Sequence, residues 1–256
     1  MITSYTNSRI RDLRRVLRKP AEWSVFAVEG VRAVEEAVRA GVKVEKLFYS
    51  GKLEAAPRGV TLLDSLAGRG TETIHVSESV LDRVAATETG QGVIAVIAKL
   101  NWRLEDLTAA GRPILVPAGL RDPGNAGTLI RVADAFDLGG LAFTPDSVDP
   151  YHQKVLRSAV GSCFRVPVCR RPFLEILSIL EEEGYHIVRA EAAEGTPLRD
   201  VQPRDRLAVI LGNEGHGVDA QVKERVSEAL QIPMPGRAES LNVAVTGAII
   251  AYECNR

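Results

Sequence analysis

Two consecutive α/β units, the second built on a mainly parallel sheet, are what this 256-residue sequence predicts. Three observations carry the prediction. Short runs of Val, Ile and Leu alternate with helix-patterned segments along the chain. A more polar stretch, Lys99–Arg112, separates two such series. The composition, 45% hydrophobic and 25% charged, is ordinary globular usage, and the length suits one large domain or two of usual size. Collagen-like, disordered and coiled-coil chains are excluded. No apolar run approaches the ~20 residues of a membrane span. The start, MITSYTNSRIRDLRR, has no apolar signal core, so secretion is not expected. Cys163, Cys169 and Cys254 lie far apart without a CxxC, which argues against zinc and for a reducing cytoplasm.

The elements follow in order. Ile10, Leu13, Val16 and Leu17 repeat at helical spacing and predict a first amphipathic helix. Trp23–Val28 reads as a strand, then Gly30 leads into a helix over Val31, Val34, Ala37 and Val38 that Gly41 stops. Val44–Tyr49 is a second strand. Gly51–Gly59 reads as loop, Thr61–Leu66 as strand or short helix, and Glu72–Val76 as extended. Ser77 can cap a helix over Val80, Leu81 and Val84. Thr87–Gly92 is polar, and Val93–Ala98 is a strongly apolar strand. The second series has strand Pro113–Val116, loop Gly119–Ala126, helix Gly127–Asp137 and strand Gly140–Phe143. Helix Gln153–Ala159, strand Val166–Cys169, helix Phe173–Glu183 and strand Tyr185–Ala190 come next. Strand Leu207–Leu211, a helix near Ala220–Val226, strand Leu230–Pro233 and helix Leu241–Glu253 complete it. Ligands of such sheets sit beyond the carboxyl ends of the strands.

The net charge of −1 hides an asymmetry. The first helix carries Arg9, Arg11, Arg14, Arg15, Arg18 and Lys19 against Asp12 alone. Arginine grips phosphates with two parallel donors and stacks on bases, so this segment points to nucleic acid or, more plainly, to a solvated helix face.

Three loops carry chemistry. In the first, Leu120–Gly127, Asn125 can cap the following helix, whose stripe Leu129, Val132, Ala133 and Phe136 faces the core. Arg131 points elsewhere, either to Asp134 three residues on or to an anion in the strand-end cleft. In the second, Leu211-Gly212-Asn213-Glu214-Gly215-His216-Gly217, the glycines allow close backbone approach. The spacing matches neither a P-loop nor GxGxxG, which argues against phosphate cradling and against a dinucleotide enzyme. Glu214 suits a ligand with hydroxyl donors or positive charge, and His216 is polar surface or a catalytic group. In the third, Ile232-Pro233-Met234-Pro235-Gly236 and on to Ser240-Leu241-Asn242-Val243, Ser240 can cap the last helix. Asn242 then sits in its first turn. That helix is apolar or small almost all round, which predicts burial in a core or a subunit interface.

Asn125-x-Gly127-x-x-x-Arg131, then 211–217, then 232–243 resemble, in order and spacing, the three motifs of the SpoU-type (TrmH-like) RNA ribose 2′-O-methyltransferases of the SPOUT superfamily. The resemblance covers residues 112–256 as the catalytic domain. Residues 1–100 resemble the RNA-binding accessory domain similar to ribosomal protein L30e, on Phe26-Ala27-Val28-Glu29-Gly30 and Thr89-Gly90-Gln91-Gly92-Val93.

The resemblance implies a deep trefoil knot, an S-adenosylmethionine cofactor, a homodimer and no metal. It implies that Ala190, Glu191, Gly212, Asn213, Gly215, Ile232, Met234, Ser240 and Leu241 hold the cofactor. Asn125, Arg131, Glu214, Ser240 and Asn242 would form the catalytic cluster, and Arg9, Arg11, Arg14, Arg15, Lys154 and Arg157 would contact RNA. The expected substrate is 23S ribosomal RNA; transfer RNA, or RNA binding without catalysis, is the alternative. Two departures stand out. Val160, in Ser158-Ala159-Val160-Gly161, replaces a frequent glycine and bears on the shape of the RNA cleft; Ala244 replaces a frequent serine.

Overall fold

The computed structural model describes residues 1–85, 90–202 and 205–256. Thr87 and Thr89, read above as part of a polar stretch, lie outside the described residues. The chain divides into two compact units. The first is Met1–Leu100 with Tyr151–Leu156, and the second is Asn101–Pro150 with Arg157–Arg256.

The first unit runs α1 (Ser8–Arg18), β1 (Val25–Glu29), α2 (Val31–Arg39), β2 (Val44–Tyr49), α3 (Gly51–Glu54), α4 (Pro57–Leu66), β3 (Glu72–His75), α5 (Glu78–Val84) and β4 (Val93–Ala98). The strand order is β1-β4-β2-β3, antiparallel except for the parallel pair β2 and β3. Ile10, Leu13 and Val16 of α1 bury against the sheet with Phe48, Ile74 and Ile94. Gly51–Gly59, expected as loop, is instead helical. Pro57 opens α4, where its missing N–H costs nothing. Helix α4 carries glycine at position 59 because a Cβ there would lie 2.0 Å from the Leu53 carbonyl oxygen. Close packing, not a turn, explains that glycine. The segment Tyr151–Leu156, assigned above to the second domain, clusters with the first unit. Gln153 Nε2 donates to the Ala27 carbonyl on the open edge of β1 at 2.8 Å, and the rings of Tyr151 and Phe26 lie 4.7 Å apart.

The second unit runs α6 (Leu104–Thr108), β5 (Ile114–Pro117), α7 (Pro123–Ala135), β6 (Gly140–Phe143), the end of α8 (Gln153–Ala159, whose residues up to Leu156 belong to the first unit), β7 (Val168–Arg170), α9 (Phe173–Glu182) and β8 (His186–Glu191). It continues through β9 (Thr196–Pro197), β10 (Leu207–Leu211), α10 (Ala220–Arg225), β11 (Ala229–Gln231) and α11 (Val243–Cys254). All seven strands are parallel, in the order β7-β6-β5-β10-β8-β11-β9. The core strand Leu207–Leu211 is buried along its whole length, as a sheet covered on both faces requires. The presumed junction contains α6, whose Leu104 and Leu107 enter the core. Asp122, not Asn125, caps α7: its side chain accepts from the Asn125 N–H at 2.7 Å. Asn242, not Ser240, caps α11, accepting from the N–H groups of Ala244 and Val245. The α7 stripe is shifted as well, burying Ala126, Leu129, Ile130 and Ala133. Among the described residues no helix is long and apolar enough to cross a membrane. No disulfide joins Cys163, Cys169 or Cys254, and burial pushes the Cys163 and Cys169 thiols up to about 12.

Val160, just after α8, has φ of 49°. A β-branched residue in the left-handed region costs roughly 1–2 kcal/mol. The residue is 36% exposed, so its partial burial offsets some of that cost but not all of it. Val160→Gly should therefore raise the thermal midpoint by a few degrees, while Val160→Ala, which keeps a Cβ, should gain less. A midpoint that falls in Val160→Gly would mean that contacts of the valine outweigh its backbone strain.

Candidate active site

The loops after β8, β10 and β11 meet at the carboxyl ends of the parallel strands, where they enclose a cavity of about 570 Å³. That size is typical of small-molecule sites. Its wall includes Ala190, Glu191, Leu211, Gly212, Asn213, Glu214, Gly215, Leu230, Ile232, Met234, Ser240, Leu241 and Asn242. Every residue expected to hold a cofactor is thus in one wall.

The second loop is a tight turn. Asn213 and Gly217 exchange backbone hydrogen bonds of 2.8 and 2.9 Å. Asn213 Nδ2 donates to the Gly119 carbonyl at 2.8 Å, and its Oδ1 accepts from the Gly215 N–H. The turn is therefore pinned to the loop after β5. Gly119 and Leu120 are held in turn by the Thr144 and Ser147 hydroxyls, at 3.0 and 3.1 Å.

Glu214 does not aim an unpaired carboxylate at a ligand. Its oxygens accept from the N–H groups of Arg121 and Asp122, at 3.3 and 3.0 Å, and from Asn125 Nδ2 at 3.1 Å. Burial raises the affinity of this carboxyl for protons. The bonds from its own amide, Asn125, Asp122 and Arg121 outweigh burial and hold it below the usual carboxylate range. Asn125 Oδ1 then accepts from Asn242 Nδ2 at 2.9 Å. One chain of bonds, Glu214–Asn125–Asn242, thus joins all three loops. The α7 cap by Asp122 makes this possible, because it leaves the Asn125 side chain available.

Ser240 is exposed and lines the cavity without capping anything. Arg131 is exposed and is not in the cavity wall. It does not pair with Asp134, whose carboxylate accepts from Ser162 at 2.7 Å and binds Arg165 at 2.6 Å. Glu191 is anchored by Arg189 Nε at 3.1 Å and Lys223 Nζ at 2.9 Å, both on Oε1. Lys223 escapes a reading by motif, because it reaches Glu191 from α10, whereas Arg189, two residues before Glu191 on β8, shares its face of the strand and could have been found by that spacing. Thr246, also in the wall, lies one turn beyond Asn242, a spacing that could have signalled it. His216 is exposed on the loop.

The expected RNA contacts are unequal. Arg9 binds Glu72 at 2.9 Å, and Arg15 faces Asp12 at 3.7 Å. Arg11, Lys154 and Arg157 are exposed, and Arg14 is partly covered.

Residues 112–252 match the SpoU rRNA Methylase family, and residues 7–95 match an MRM3-like substrate binding domain. The chain is 33% identical over 253 residues to the 23S rRNA (guanosine(2553)-2′-O)-methyltransferase RlmP of Bacillus subtilis strain 168, covering 98% of this chain and 97% of that protein. A crystal structure of an AdoMet-bound rRNA methyltransferase from Sinorhizobium meliloti matches with a TM-score of 0.87 at 26% identity, covering 99% of this chain and 96% of the other. The SpoU methyltransferase AviRb from Streptomyces viridochromogenes, in complex with AdoMet, matches with a TM-score of 0.88 at 27% identity, covering 97% of each chain.

Proposed function

The chain belongs to the SpoU rRNA methylase family, and from that premise we infer that it is an S-adenosylmethionine-dependent RNA ribose 2′-O-methyltransferase acting on 23S ribosomal RNA. The observation that carries this reading is the convergence of the second and third motif loops on one cavity, to which the Glu214–Asn125–Asn242 chain ties the first.

The wall fits the cofactor's chemistry. Leu211, Leu230, Ile232 and Leu241 offer apolar surface for an adenine ring, and Glu191, Asn213, Ser240 and Thr246 offer polar contacts. S-adenosylmethionine, when bound, supplies an electrophilic methyl on a sulfonium that leaves readily. The protein's task is to hold a weakly acidic 2′-hydroxyl in line and to favour the charge that grows on it. Asn125 and Asn242 fix each other and steer the approach, while Glu214 braces the loop beneath them. Arg131 supplies positive charge to the developing alkoxide. A guanidinium stays protonated, so the hydroxyl proton passes to an RNA phosphate or another acceptor.

The reading includes a homodimer. Leu241, Val245 and Tyr252 at α11 are 37%, 47% and 58% exposed, an apolar face suited to a second copy. In this reading Arg131, which lies outside the cavity wall of its own chain, serves the cavity of the other copy. The reading also includes the trefoil knot and a cytoplasmic location. Insertion of β10 between β5 and β8 supports a threaded loop.

The test is methyl transfer from radiolabelled S-adenosylmethionine to total bacterial RNA, separated by size, with Asn242→Ala as control. Label in large ribosomal RNA that the control lacks is the expected result. Label confined to transfer RNA would overturn the substrate. Tight cofactor binding with no label in any RNA would favour a binding protein that has lost catalysis.

A further inference from the structure

Two arginines from different helices of the first unit meet on one aromatic ring. The guanidinium of Arg14, on α1, lies 4.1 Å from the centroid of Tyr5, and that of Arg83, on α5, lies 4.2 Å from it. The ring is held in place from both sides along the chain. Before it, Ile2 pairs beside β3: its N–H donates to the His75 carbonyl and its carbonyl accepts from the Ser77 N–H, each at 2.8 Å. After it, Asn7 caps α1, accepting from the Arg9 N–H at 2.9 Å. Each cation is attracted to the ring's π-electrons. The two cations, however, are held no farther apart than about the screening length of physiological salt, ~8 Å, and repel each other.

Three described acids of the first unit are engaged elsewhere. Glu72 binds Arg9 at 2.9 Å, Glu22 binds Lys19 at 2.8 Å, and Asp82, next to Arg83 in sequence, binds Lys52 at 2.7 Å. Among the described residues neither Arg14 nor Arg83 has a carboxylate partner, and neither have Arg11 and Arg18. Arg11, Arg14 and Arg18 follow i, i+3, i+7 and share one side of α1, spread over ~10 Å at 1.5 Å per residue. A small anion would neutralise only the stacked pair. The row calls for a polyanion, and planar guanidinium donors match phosphate oxygens two at a time.

We propose that Tyr5, Arg14 and Arg83 form a preorganised phosphate grip, extended along α1 by Arg11 and Arg18, that binds the sugar–phosphate backbone of the RNA substrate. It rests on the RNA-methylation reading and adds to it the surface that holds the substrate. Arg83 and Tyr5 become contact and positioning residues, respectively, and Arg9 drops out because Glu72 occupies it.

The experiment measures binding of the full chain to deproteinised large-subunit ribosomal RNA by filter retention, between ~50 and ~200 mM salt. Arg83→Gln and Arg14→Gln should each weaken binding several-fold and each reduce the salt slope by about 1. Arg83→Lys should keep the slope. Tyr5→Phe should match wild type, and Tyr5→Leu should weaken binding without changing the slope, since no charge is lost. S-adenosylhomocysteine affinity and the thermal midpoint, followed in the same samples, should stay unchanged in Arg83→Gln. Wild-type RNA affinity and slope in both glutamine variants would overturn the grip and leave a structural staple, with the RNA reading intact. Failure of the wild-type chain to bind the RNA at all would overturn the grip together with that reading.

Discussion

Arg131→Ala is expected to lower methyl transfer by roughly 10²–10³-fold, the usual effect of removing one group that stabilises a developing oxyanion. Cofactor affinity should stay close to wild type, because Arg131 is not in the cavity wall. The two readouts together separate a charge-stabilising role from a binding role. Arg131→Lys refines the test. Lysine restores a positive charge but not the planar fork, and its pKa is lower. If the arginine acts by its charge, Arg131→Lys should recover only part of the rate, with no downward shift of the pH–rate profile. Full recovery with a downward shift would show instead that the group removes the proton. A third arm addresses the homodimer. Mixing Arg131→Ala with Asn242→Ala subunits should recover part of the activity, because a mixed dimer rebuilds one complete site from two damaged chains. A mixture no better than its components would place Arg131 and Asn242 in the same chain's site.

The alternation of strands and helices was legible because it depends on local pattern. Strands such as Val93–Ala98 and Leu207–Leu211 are continuous apolar runs that need no partner to be recognised. The sequence reading failed where a residue's role is set by distant contacts. Gly59 looked like a loop residue, and only the neighbouring Leu53 carbonyl shows why a helix carries glycine there. Asn125 and Ser240 are good cap residues, yet Asp122 and Asn242 take those places. Propensity cannot rank two good cap residues two or three positions apart, because the path of the folded backbone decides which one takes the place. The site followed the same rule. The wall residues were legible by motif, but the bonding of Glu214 was not. Its carboxylate looked directed to a ligand, and it instead ties the loop after β10 to the loop after β5 and the start of α7. Nor does any sequence pattern reveal that Arg14 and Arg83, sixty-nine positions apart, share the ring of Tyr5.

That bracing makes Gly212 the most sensitive single position of the cavity. A Cβ at Gly212 would lie 2.2 Å from the Gly217 carbonyl carbon and 2.4 Å from the Val218 nitrogen. Those atoms are backbone and cannot rotate away, so Gly212→Ala must push the 212–217 turn open. Opening it strains the paired bonds of Asn213 and Gly217 and draws Asn213 from the Gly119 carbonyl. It also displaces Glu214 from Asn125, and with it the link to Asn242. The expected outcome is a loss of at least ~10²-fold in S-adenosylhomocysteine affinity by calorimetry, together with a destabilisation of about 1–3 kcal/mol from overpacking. Gly215→Ala is the control. Its nearest neighbour, Asn213 Oδ1, would sit at 3.4 Å, an ordinary contact, so stability should be nearly unchanged. The glycines of one motif therefore answer to different demands, and the steric one lies at Gly212. If Gly212→Ala bound the cofactor as tightly as wild type, the turn would not be the wall of the site, and the alignment of motif, cavity and catalytic chain would fail at its centre.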